Sequence, residues 1–167
     1  MAGIGSVESF GEIVAKPERQ MSANYAIGND GRIGLYCPES DRSWCSSSKW
    51  NDHRAITIEV SNNVNKEPWS VSDAAYNSLI KLCIDICKRN GIKKLVWSTN
   101  KTDRVNHASG CNMTVHRDYA NKACPGQYLY DRHGAIAAAV NEILGSGTTQ
   151  APEAAPEAVQ GFPEAPF

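Results

Sequence analysis

The chain has 167 residues, 41% of them hydrophobic and 21% charged, and a formal net charge of −1. That length suits one domain with a real core, and the balanced charge supplies no global field for nucleic acid or an anionic membrane. No run approaches the ~18 consecutive apolar residues of a membrane helix, and no signal peptide is read at the N-terminus. In chain order, Val7, Phe10, Ile13 and Val14 recur at helical spacing before Pro17 and predict a helix over 7–15. Residues 22–28 read as a strand, Asn29-Asp30-Gly31 as a turn and 32–36 as the return strand of a hairpin. Residues 38–51 are polar and serine-rich, hence a loop, and 55–60 form a β-branched strand that contains Glu59.

The clearest element is a helix over 72–89, with Tyr76, Leu79, Ile80, Cys83, Ile86 and Cys87 in one stripe. Ser70 or Ser72 can cap its start, and Lys88-Arg89-Asn90-Gly91 gives a basic last turn and a glycine stop. The basic pairs Lys88-Arg89 and Lys93-Lys94 lie where a helix C-terminus attracts cations. Residues 94–97 then read as a short strand, and the strand–helix–strand order suggests that it pairs in parallel with 55–60. Residues 98–112 are polar and irregular, 113–115 are extended and deliver His116, and 127–144 close the domain as a helix. From 145 to 167 the chain turns into a Pro/Ala/Glu-rich linker or tail that cannot form a core. Of the six cysteines, Cys83 and Cys87 read as small buried apolar groups, and free thiols are expected throughout.

The chemistry concentrates in His116-Arg-Asp-Tyr-Ala-Asn-Lys122-Ala-Cys124-Pro-Gly. Imidazole and thiolate are the side chains that best suit zinc, and Lys122 adds a positive charge able to stabilise an oxyanion. On the residues alone, a single His/Cys pair is more often structural than metal-binding. Glu59 is equally readable as a plain strand-end carboxylate, and Lys122 as a solvated surface charge. Trp44, Tyr25 and Trp69 are the aromatics that would suit sugar faces, with core packing the favoured reading for Tyr25 and Trp69.

Five blocks in order resemble the zinc-dependent N-acetylmuramoyl-L-alanine amidases of the peptidoglycan-recognition fold, phage endolysins in particular. They are Ser22 to Gly31, Glu39 to Trp44, Ala55 to Val60, Trp69 to Asp73, and Thr114 to Gly126. The resemblance covers roughly residues 1–144. It implies an α/β fold, a mixed central β-sheet flanked by helices, and cleavage of the amide between N-acetylmuramic acid and L-alanine. It implies zinc on His116 and Cys124, Glu59 as the catalytic acid/base and Lys122 near the scissile carbonyl; the candidate substrate contacts, Trp44 and Tyr25, rest on their aromatic character alone. The family's first zinc ligand lies in an apolar strand ending in a His-His pair. No residue here matches it, so the first strand is expected to be missing and the metal site incomplete. His53, His107 and His133 do not fall where that ligand belongs. The implied partner is bacterial peptidoglycan, reached after release from the producing cell's cytoplasm, and a C-terminal cell-wall-binding module is expected to be absent. A binding module without catalysis, or an inactive fragment, is the competing reading.

Overall fold

The computed structural model of the protein describes residues 3–146. Among them a three-stranded sheet is ordered β2-β1-β3, with β1 (Tyr25–Ile27) central, β2 (Ile33–Leu35) antiparallel to it and β3 (Ile58–Val60) parallel to it. Five α-helices accompany it: α1 (Val7–Val14), α2 (Lys49–Asp52), α3 (Asp73–Arg89), α4 (Lys101–Asn106) and α5 (Gln127–Gly145). This is the mixed α/β architecture expected from the sequence. Of the tail read over 145–167, residues 147–167 lie outside the described residues, and α5 itself runs through Gly145.

The hairpin between β1 and β2 closes through Gly28 N–H donating to the Arg32 carbonyl and Gly31 N–H to that of Gly28, both at 2.9 Å. Gly31 has φ +84°, and a Cβ there would meet the Ala74 carbonyl oxygen at 2.9 Å, so no larger residue fits this turn against α3. In α1, Ser6 and Ser9 cap each other reciprocally. In α3 the Ser72 hydroxyl accepts from Ala75 N–H, which settles the cap between the two serines that the sequence offers.

Strand alternation separates the two faces of the sheet. Ile27 and Val60 pack with Leu79, Leu82, Ile86, Leu129, Ile136 and Val140 of α3 and α5 in the main core, joined at its margin by Tyr25, Ile33 and Ile58. Ala26, paired with Glu59 across the parallel ladder, belongs instead to a smaller cluster with Phe10 and Ala23, against which Cys45 and Tyr36 pack. Glu59 therefore sits on the face away from α3 and α5.

Two expectations fail. Residues 94–97 are not a strand and pair with no part of β3. Two asparagine side chains take the place of a ladder there. Asn141 accepts from Leu95 N–H at 2.7 Å and donates to the Leu95 carbonyl at 2.8 Å, while Asn112 accepts from Val96 N–H at 2.8 Å and donates to the Lys94 carbonyl at 2.9 Å. With both polar backbone groups of Leu95 met by one amide, the segment satisfies its hydrogen bonds without joining the sheet. The second correction is at 98–112, read as irregular: Asn100 caps a real helix, α4, by accepting from Thr102 N–H at 2.9 Å. The loop over 38–51 also ends in the short helix α2.

Candidate active site

Glu59 is 7% exposed. The Cys45 thiol packs against it, with Sγ 3.8 Å from Oε1. Burial pushes the Cys45 thiol well above the usual cysteine range, and the negative charge of Glu59 and proximity to Cys124 push it further, so it remains a neutral donor. The loop that brings Cys45 here is tied down in two places. Ser43 Oγ lies 2.7 Å from Thr57 Oγ1, just before β3, and Thr57 N–H donates to the buried Asn24 side chain at 2.9 Å. The buried Asp52 carboxylate of α2 accepts from Cys45 N–H at 3.3 Å and from Ser46 N–H at 3.0 Å.

Its neighbour Asn51 holds the other wall. The Asn51 side-chain oxygen accepts from Thr114 Oγ1 at 3.1 Å and from the Tyr119 hydroxyl at 3.0 Å, bracketing His116. His116 opens a single 3-10 turn, His116–Asp118, and its Nε2 lies 2.9 Å from Ser47 Oγ. Burial lowers the His116 pKa, opposed by the charges of Glu59 and Asp52 and assisted by Lys122, so the ring is neutral near pH 7.

Beneath this turn lies a buried ion pair. Arg104, 1% exposed, donates through Nη2 to Asp118 Oδ1 at 2.6 Å and through Nε to Oδ2 at 2.9 Å, and Asp118 also accepts from Val115 N–H at 3.0 Å. The guanidinium donates to the Ser98 carbonyl at 2.7 Å and stacks 4.5 Å from the Trp97 ring. A bidentate pair so fully desolvated orients the residues on either side of it. Sequence reasoning missed it, because an arginine in a polar stretch reads as solvent-exposed. Ser47, Asn51 and Asp52 were missed as well, since nothing in a serine-rich loop marks which members face inward.

The remaining sequence-derived residues divide. Cys124 follows the His116 turn, and its carbonyl accepts from Arg117 N–H at 3.1 Å. Lys122 is exposed on the same loop. Trp44 is 51% exposed beside Cys45, with the Arg42 guanidinium 5.0 Å from its ring centre. Tyr25 is not brought to the Glu59 face: it lies on the α3 side of the sheet, donating to Glu39 at 2.7 Å and 3.3 Å from Arg89 Nη2. The other histidines are occupied elsewhere. His107 Nδ1 meets the Cys111 carbonyl at 2.9 Å, His133 Nδ1 meets that of Leu129 at 2.6 Å, and His53 is exposed at the end of α2.

Glu59 is thus buried on the sheet face opposite α3 and α5, while His116, Lys122 and Cys124 lie on the turn and loop over 116–124. Residues 6–127 match the profile of the family described as N-acetylmuramoyl-L-alanine amidase, and the chain belongs to that family of peptidoglycan hydrolases. No curated protein and no solved structure matches it. Members of the family are generally zinc-dependent. His116 and Cys124 have the right donor chemistry, but among the described residues no three of His, Cys, Asp or Glu come close enough to hold a metal ion. Zinc in proteins takes three or four such ligands. The described residues do not fit the ion.

Proposed function

We propose that the chain acts on the amide joining the lactyl group of N-acetylmuramic acid to L-alanine, in the manner of a phage endolysin. The observation that carries this reading is Glu59, buried on the site face of β3 with its charge felt at His116, within a chain of this family. Glu59 takes a proton from the attacking water and delivers it to the departing alanine nitrogen. Lys122 stabilises the oxyanion formed at the carbonyl. Trp44, exposed beside Cys45, offers a flat face to the sugar. His116 and Cys124 are the chain's own share of a zinc site that its described residues do not complete.

One observation favours a second reading, in which the chain grips peptidoglycan without cutting it: the missing third ligand group among the described residues. Purified peptidoglycan incubated with the chain and added zinc separates the two. Release of peptides with new L-alanine amino groups, stopped by a chelator, supports cleavage. Co-sedimentation with the wall and no release supports binding alone. Neither release nor co-sedimentation overturns both.

A further inference from the structure

The loop that carries His116 and Cys124 also walls a surface depression of about 400 Å³, lined by Lys101, Arg117, Tyr119, Ala120, Asn121 and Lys122. Three of these residues are cationic and none is a carboxylate. In a chain of net charge −1, that concentration is local and not the by-product of a basic protein. Of these three cations, Arg117 is the one with side-chain supports among the described residues. Arg117 donates to the Ala123 carbonyl at 2.6 Å and to the Gln127 side chain at 3.3 Å, and lies 4.6 Å from the Tyr130 ring centre. Lys101 opens α4 directly after its Asn100 cap. The acids closest in sequence are engaged: Asp118 by Arg104, and Asp103 by Ser98 Oγ at 2.7 Å. Lys122 faces both ways, lining the depression while its charge reaches His116.

We propose that this depression is a subsite for a free carboxylate of the peptidoglycan stem peptide, with Lys101 as the residue that sets the preference. The inference rests on the substrate reading above and deepens it. An extended peptide advances roughly 3.5 Å per residue, so the α-carboxyl of the second stem residue lies about 7 Å beyond the lactyl amide. Arg117 and Lys122, which line the depression, sit one and six positions after His116. A carboxylate there accepts charge-assisted hydrogen bonds from these cations, whereas a carboxamide gains none of the Coulomb attraction. The chain thereby distinguishes amidated from unamidated cell walls.

The test uses two synthetic N-acetylmuramoyl-L-alanyl dipeptides that differ only in a free α-carboxylate or an α-carboxamide on the second residue. Each is titrated into the chain at low salt and followed by calorimetry or NMR. The carboxylate form is expected to bind about three- to tenfold more tightly, with the gap narrowing as salt rises. Lys101→Gln should bring the two ligands to parity and Lys101→Arg should keep the gap. Lys81→Gln, the same charge change at an exposed position on α3, should also keep it. Equal binding of both ligands by the unaltered chain overturns the subsite and leaves the substrate reading standing. So does a gap that survives Lys101→Gln or vanishes in Lys81→Gln. Binding of neither ligand overturns the subsite and the substrate reading together.

Discussion

At Glu59 the alternation of a three-residue strand has a chemical outcome: Ile58 and Val60 face the α3/α5 core, and the carboxylate between them faces the site. Glu59→Gln preserves the shape but removes the proposed base. Turnover on peptidoglycan should fall about 10²–10⁴-fold with co-sedimentation unchanged, and undiminished release would remove Glu59 from the mechanism. Ser47 combines two effects that substitution can separate. It holds His116 Nε2 through its hydroxyl, and it does so from a left-handed backbone with φ +64°. Ser47→Ala and Ser47→Gly both delete the hydroxyl, but only glycine relieves the backbone, so Ser47→Gly should be the more stable of the two by about 1 kcal/mol. Thermal unfolding of the pair checks this; identical midpoints would mean that the backbone stores no strain there.

Among the elements, the stretch over 94–96 shows how side chains can substitute for a neighbouring strand. Asn141→Leu keeps the volume in α5 while stranding the N–H and carbonyl of Leu95, at a cost of about 1–3 kcal/mol. Denaturant unfolding should show the loss, and amide exchange at Leu95 should quicken more than at positions in β1. The same stretch marks the limit of what could be read in advance. The stripe from Tyr76 to Cys87, its serine cap and the Asn29-Asp30-Gly31 turn are local signals, and α3 and the β1–β2 hairpin stand where those signals put them. Whether Leu95-Val96-Trp97 pairs with β3 depends on partners elsewhere in the chain: Asn112 sits 16 and 18 positions from the groups it meets, and Asn141 sits 46. At the site, His116, Cys124, Glu59 and Lys122 could be singled out because they fall in recognisable blocks. Asp52, Asn51 and the Arg104–Asp118 pair, which hold those blocks in place, have no local signature: burial alone gives them their roles.

Across the whole molecule, one ion network joins the loop after β2 to the far end of α3. Arg89 contacts Glu39 through both Nη atoms, and Asn90 and Tyr25 donate to the same carboxylate. Burial pushes the Glu39 carboxyl up, but the hydrogen bonds from Arg89, Asn90 and Tyr25 together outweigh it and hold the group at about 2. Because the folded value lies below the unfolded one, near 4.3, the network stabilises the fold at neutral pH. That stability drains away as acid takes the pH from about 4.5 down to 2. Allowing for solvent around Arg89, the loss is about 1 kcal/mol, and Glu39→Gln should flatten the acid limb of stability against pH. The parallel pairing of β1 with β3 carries a consequence for how the protein reaches this state. The hairpin joins Ile27 to Ile33 across six positions, whereas Asn24 and Thr57 meet across 33. Closing the longer loop costs about 1.5 kcal/mol more chain entropy, so the hairpin forms early and β3 docks late. In a refolding time course, the Gly28 amide should gain protection before that of Ser61, which donates to Ile27 beyond the end of β3. On that order Glu59 would reach its place last, and under the proposed mechanism a half-folded chain would have its hairpin before its base.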